Sequence, residues 1–238
     1  MYGKRRKFVL IGHKRRFEME NIMISKMLQT IGAVFPLEKK DAGNYQTMKV
    51  SGMKFQIQVF EAKGLGHVSA MTAKGFFGLM KMDTLIITPT EKDMPLFSYD
   101  RVLAMGNDTL IFELYDTLLG EADLAGLDKV KKAAEILPAH DPGEHWYDSI
   151  KLSQSFSKKG KKEHSAAFDA AALDYLKAFL EASGTAASCD GTAKREKASV
   201  YVEGLLSHGG PSTDVFKKGI GDEKTADLFR KVLFGTQI

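Results

Sequence analysis

"TPTEKDMPLFSYDRVLAMG" (residues 88–106) sets a proline and two acids before an aromatic pair, then places Asp100 at the mouth of an apolar run. The alternation continues through "YDRVLAMGNDTLIFELYD", with a turn signal at Gly106-Asn107. Two runs of period two joined by so short a turn read as a hairpin. A hairpin makes its strands antiparallel, because parallel neighbours need a crossover between them. The same stretch poses a chemical question, since a carboxylate stands where a core strand begins.

Working outward, "TMKVSGMKFQIQVFEAKG" reads as a second hairpin turning at Ser51-Gly52. "HVSAMTAKGFFGLMK" and "DTLIITPT" are further strand-like runs, and "SIKLSQSFS" is a candidate strand downstream. Helical spacing governs residues 18–35, where Ile22, Ile24, Met27, Leu28, Ile31 and Val34 recur and Pro36 closes the run. It returns at 121–137, 163–182, 193–206 and 222–234, and the second of these lines up Phe168, Ala172, Tyr175 and Phe179. Helices before and after one sheet cover its two faces. The fold class expected is α+β, a three-layer α/β/α sandwich with a central antiparallel sheet, in a single domain over residues 1–238.

The 238 residues are 44% hydrophobic and 10% aromatic, which suits a packed globule. Net charge is only +4, yet "GKRRK" (3–7), "HKRR" (13–16) and "KKGKK" (158–162) concentrate the basic residues. Such runs are commonly solvated surface, and they also suit an acidic partner. Cys189 is the single cysteine, which excludes an internal disulfide, a cysteine-held cluster and a Cys-rich zinc site. A reducing, cytoplasmic setting is the expectation. No apolar run is long enough to span a membrane, and residues 8–11 are too short a core for a signal peptide. Neither a phosphate-cradling glycine loop nor a nucleophile elbow is present. The six histidines show no metal spacing; His140 and His145, flanking "DPGE", read as solvated loop residues.

The strand carboxylates say more. Side chains alternate along a strand, so Glu61 shares a face with Phe55, Ile57 and Val59. Asp83 shares one with Leu85 and Ile87, and Asp100 with Val102 and Ala104. Desolvation among apolar neighbours raises a carboxyl pKa and makes it a proton donor near neutral pH. The alternative for each acid is a solvated strand end.

"DMPLFSYD" (93–100) resembles the "DLPxFGxD" element of the ferredoxin-dependent bilin reductases. The ending "PSTDVFKKGIGDEKTADLFRKVLFG" (211–235) is similar to that family's closing helices, and Trp146 with "SIKLSQSFSKK" to its Trp-containing loop and following strand. The pieces occur in the family's order from about Phe55 onward. The resemblance implies the same three-layer sandwich and reduction of a linear tetrapyrrole such as biliverdin. Electrons would arrive singly from an acidic ferredoxin, with no metal or flavin bound permanently. Asp100 falls on the family's proton-donating aspartate and Glu61 near its catalytic glutamate. Met82 and Asp83 stand where an active-site histidine is expected, and Asp83 joins the catalytic candidates. Lys158 falls where an arginine meets a propionate. Phe97, Trp146 and His208 complete the expected substrate contacts. "KKGKK" and the Lys217-Lys218 pair are the candidate ferredoxin-docking sites.

Two alternatives stand beside this reading. The missing histidine suits a tetrapyrrole binder without turnover on the same fold. A basic nucleic-acid-binding domain suits the charge runs, but the strands lack the interleaved aromatic and basic residues of a base-stacking sheet.

Overall fold

A computed structural model describes residues 22–237. The first basic runs, "GKRRK" and "HKRR", and the start of the helix expected at 18–35 lie outside the described residues.

The described residues open with α1 (Ile22–Val34) and β1 (Leu37–Lys40). It then lays down β2 (Thr47–Val50), β3 (Met53–Ala62), β4 (Gly66–Gly75), β5 (Met80–Pro89), β6 (Leu96–Ala104) and β7 (Asn107–Tyr115). After α2 (Ala125–Ala133) comes the edge strand β8 (Phe156–Lys161). The chain closes with α3 (Ser165–Thr185), α4 (Gly191–His208), α5 (Pro211–Ile220) and α6 (Asp222–Asp227), which runs on into a π-helical turn at Leu228–Leu233. Among the described residues, eight strands form one antiparallel sheet in the order β1-β3-β4-β5-β6-β7-β8, with β2 also paired to β3.

Both faces of the sheet are buried, which is why β4 reads as a near-continuous buried run instead of alternating with polar residues. On one face Val68, Leu85, Phe97 and Phe112 pack beneath α1, α2 and α3, which supply Met27, Leu127, Phe168 and Phe179. On the other, Phe55, Met71, Ile86 and Tyr115 meet Tyr201, Phe216 and Phe229 from α4 and the C-terminal helices. The layers are therefore helix, sheet, helix, as expected from the sequence.

Three local departures have physical causes. The run "HVSAMTAKGFFGLMK" is a strand, a turn and the start of the next strand, because Phe76 and Phe77 adopt φ of 50° and 56° and break the extension. In "SIKLSQSFS" only the end is strand: Trp146–Ile150 is a 3-10 turn, Lys151 makes an isolated bridge to Tyr115, and continuous pairing to β7 starts at Phe156. The turn between β6 and β7 sits at Met105-Gly106, one residue earlier than expected, with φ of 52° and 74°. Short, polar β1 gave no periodic signal. Among the described residues no helix is long and apolar enough to cross a membrane.

Candidate active site

The aspartates of "DMPLFSYD" define the approach to β6. Asp93 precedes the strand and accepts from the backbone amides of Leu119 (2.9 Å) and Gly120 (2.7 Å). The ammonium of Lys194, on α4, reaches it at 3.2 Å and also donates to the carbonyls of Met94 and Thr117. Lys194 is fully buried. Burial acts to raise the Asp93 pKa, but the two amides and the ammonium outweigh it and hold it below the ordinary carboxylate value. Asp93 thus ties the β5–β6 connection to the loop after β7 and to α4.

Asp100 sits seven residues on, in the middle of the sheet. Its carboxylate accepts from the Thr84 hydroxyl on β5 (2.5 Å) and from the Ser98 hydroxyl (3.3 Å). Register explains both contacts: Thr84 is its direct cross-strand partner, and Ser98 is two residues away on the same face. Desolvation pushes the Asp100 pKa up to about 6. The two hydroxyls oppose that rise, and the charge of Glu113 adds to it. Glu113 is the cross-strand partner of Ser98, which places the two acids on neighbouring rows of one face. Glu113 accepts from the Tyr115 hydroxyl at 2.5 Å, and Lys151 approaches its other oxygen at 3.8 Å.

Thr84, Ser98, Asp100, Glu113 and Tyr115 line a cavity of about 360 Å³ between the sheet and the C-terminal helices. Its floor is Met71, Thr84, Ser98, Asp100, Ile111 and Glu113; Tyr147, Tyr201, Phe229 and Phe234 form the walls, and His140 and His145 also line it. A smaller hollow of about 180 Å³ shares Ile111, Glu113, His140 and Pro142 with it and adds Lys151. The size and the apolar lining with few polar groups are those of a small-molecule site. The walls pack ring against ring: Tyr115 stacks on Tyr201 at 4.0 Å between centroids and meets Tyr147 edge-on at 5.5 Å. The π-helical turn, closed by the Phe234 amide on the Phe229 carbonyl at 3.0 Å, brings Phe229, Leu233 and Phe234 to the lining. A larger open cleft of about 550 Å³ lies between Tyr45 and the C-terminal helices. One of its two carboxylates, Asp227, is held below the ordinary range by Lys231 and Tyr45.

The expectation that Glu61, Asp83 and Asp100 converge is not met. Asp83 points to the other face of the sheet, opposite Arg101. Desolvation raises it to about 6, against the pull of Arg101, Lys74 and Lys81. Arg101 there forms a bidentate pair with Asp108 and stacks over Phe168 at 5.1 Å. Glu61 lies on the cavity side of the sheet but near its far edge, paired with Glu38 and His67. Strand spacings put it about 14 Å across and about 13 Å along the sheet from Asp100. Burial and Glu91 raise its pKa, and Arg195 and Lys40 oppose them.

The substrate-contact candidates divide in the same way. Phe97 is fully buried in the opposite core, 4.8 Å from the Phe179 ring and 5.7 Å from that of Phe112. Lys158 pairs with Leu110 on that same face and donates to the Leu137 carbonyl at 3.2 Å. Trp146 lies beside the cavity wall, stacked on Tyr201 at 6.0 Å, with its ring directly against Gly204. Its indole NH donates to the Gly209 carbonyl at 3.2 Å. His208 is exposed and 5.2 Å from the Trp146 ring. Neither Trp146 nor His208 lines the cavity itself.

Conversely, His140 and His145, read from sequence as solvated, both line the cavity. His140 Nδ1 lies 2.7 Å from the Ser157 hydroxyl, and burial together with Lys159 lowers its pKa. His145 stacks on Tyr147 at 4.9 Å, and its buried Nδ1 has no hydrogen-bond partner among the described residues. The face-sharing rule that selected Asp100 also applies to Glu113, which shares a face with Ile111 and Tyr115. The tyrosines and histidines left no such signal.

Among solved structures, the chain is similar to phytochromobilin synthase from tomato, determined in complex with biliverdin. The TM-score is 0.73 and the identity 16%, over 90% of this chain and 82% of that one. No family model matches the sequence, and no curated protein matches it. At this identity the likeness is one of fold, and it agrees with the three-layer architecture above.

Proposed function

We propose that the protein binds a linear tetrapyrrole of the biliverdin type in the cavity above Asp100 and reduces it with electrons from an acidic ferredoxin. The observation that carries this reading is Asp100 itself: a carboxyl raised to about 6, its oxygens held by Thr84 and Ser98, at the floor of an aromatic-walled cavity. A carboxyl raised to about 6 keeps a protonated fraction near neutral pH and can serve as a general acid. The fold shared with a biliverdin-complexed protein adds support.

In each one-electron step, reduced ferredoxin supplies the electron and becomes oxidised. The Asp100 carboxyl gives its proton to the reduced pigment, and its carboxylate takes a proton back from solvent. Glu113, on the neighbouring row, keeps the Asp100 proton in place between steps by disfavouring a second negative charge. Tyr147 and Tyr201 exclude water from the pigment's face. With Lys158 turned away, His140, His145 and Lys151 are the groups at the cavity suited to the pigment's anionic side chains. "KKGKK" occupies edge strand β8 and its end, and Lys217 of the other candidate docking pair donates to the Leu206 carbonyl. Charge complementarity speeds the encounter of such surfaces with an acidic electron carrier.

The test is spectroscopic. Biliverdin added to the purified protein gives a saturable shift of its visible band, and reduced ferredoxin then changes that band under anaerobic conditions. A shift that survives ferredoxin unchanged assigns the protein to binding without turnover; absence of any shift defeats the reading altogether.

A further inference from the structure

The sheet end formed by the β2–β3, β4–β5 and β6–β7 turns carries an apolar crest. Phe76, Phe77 and Leu79 are 59%, 109% and 72% exposed, and Met105 on the neighbouring turn is 92% exposed. Met80 pairs with Ala104, so the two tips are adjacent. Phe76, Phe77 and Met105 all hold φ between 50° and 56°. That left-handed region costs a non-glycine residue about 1–3 kcal/mol, and short hairpin turns ordinarily place Asn, Asp or Gly there. Strained backbone thus holds three large apolar side chains in water, where they add nothing to the core.

A band of positive charge lies just behind the crest. Lys49 is directly opposite Lys54, Lys54 opposite Lys74, and Lys74 opposite Lys81, one row across β2, β3, β4 and β5. Lys49, Lys54 and Lys81 are exposed. The nearest acid along β5 on that face, Asp83, is part-buried two residues further in.

From this crest and lysine row we infer that the protein docks, by this end of its sheet, on an anionic lipid bilayer. The lysines meet the headgroups while the phenylalanines and Leu79 enter the boundary with the acyl chains. Protruding rings suit a medium that yields around them, whereas a protein partner would have to offer a preformed socket. The cavity lining includes Met82 and Val102, a cross-strand pair two residues inward of Met80 and Ala104. Docking therefore brings the cavity close to the lipid, a source of apolar ligand. The docking stands without the tetrapyrrole reading; only this supply rests on it.

Co-sedimentation tests the inference, with vesicles of phosphatidylcholine alone or mixed with phosphatidylglycerol. The native protein is expected on the mixed vesicles only, and to be released by salt. The deciding variant is Phe77→Asn, since Asn accepts the left-handed backbone and basic runs elsewhere also attract anionic lipid. It should melt no lower than the native chain, bind biliverdin equally well, and lose vesicle binding about tenfold. Lys49→Gln with Lys81→Gln should weaken binding about fivefold per lysine. Native protein left in the supernatant with both vesicle types overturns the inference. So does Phe77→Asn binding vesicles like the native chain, or retention on an immobilised acidic protein without any vesicle binding. Because biliverdin binding is read separately, failure of the docking and failure of the tetrapyrrole reading remain distinguishable.

Discussion

Asp93 and Asp100 begin and end the same eight residues, and their surroundings give them opposite chemistry. Asp93 has a buried ammonium and two backbone amides, so its charge is neutralised in place and it works as a clamp. Asp100 accepts only from two hydroxyls among the described residues and has another acid on the next row, so desolvation governs it. A buried carboxylate beside a cation keeps its charge; one without a cation holds its proton to higher pH. Arg101 repeats the contrast one residue on: on the other face of the sheet it forms a compensated ion pair with Asp108.

The contrast is easiest to break at Asp100. Asp100→Asn removes the donor and keeps the shape, so turnover should fall by about 10²- to 10⁴-fold while biliverdin binding changes little. A mutant with the native rate would remove Asp100 from the chemistry.

Asp93→Ala should act on stability instead. It strands the Lys194 ammonium in the interior at a cost of about 3–5 kcal/mol, read from urea unfolding. The pH dependence of the two sites should also oppose. Asp93, held low, stabilises the protein above the ordinary carboxylate pKa, and that contribution is lost as pH falls through its lowered value. Asp100, held at about 6, contributes stability below its ordinary value of 3.8 that is lost as pH rises through 6. At pH 8 Asp100→Asn should therefore be at least as stable as the native chain.

Phe97→Ala sharpens the comparison of faces. It opens a hole in the core opposite the cavity, so about 3–5 kcal/mol of stability should go with biliverdin affinity intact. Impaired binding with unchanged stability would put Phe97 back at the substrate. The smallest effect is expected from Glu113→Gln, which removes a charge that raises Asp100 and should move the acid-dependent limb of turnover to lower pH.

The architecture was legible because hairpin turns and alternation fix antiparallel neighbours, and because helical spacing on both sides of the strands requires two covering layers. Asp100 was legible for the same reason, as an acid aligned with an apolar row. Alternation does not reveal which face a row occupies when the sheet is buried on both sides, and so Asp83 was grouped with Asp100 although it points the opposite way. Phe97 and Lys158 were misplaced by the same ambiguity. Glu61 shared the cavity side of the sheet, but position along and across a sheet depends on register, which a single strand does not carry. His140, His145, Tyr147 and Tyr201 come from a loop, a 3-10 turn and α4, and tertiary packing alone gathers them.

The most direct measurement is the protonation midpoint of Asp100, followed as the carboxylic-acid carbonyl band in infrared difference spectra between the native protein and Asp100→Asn across pH. A band that persists at pH 5 and disappears with a midpoint near 6 is the expected result. A midpoint near 4, the ordinary value for a solvated aspartate, would contradict it and leave the cavity without its acid.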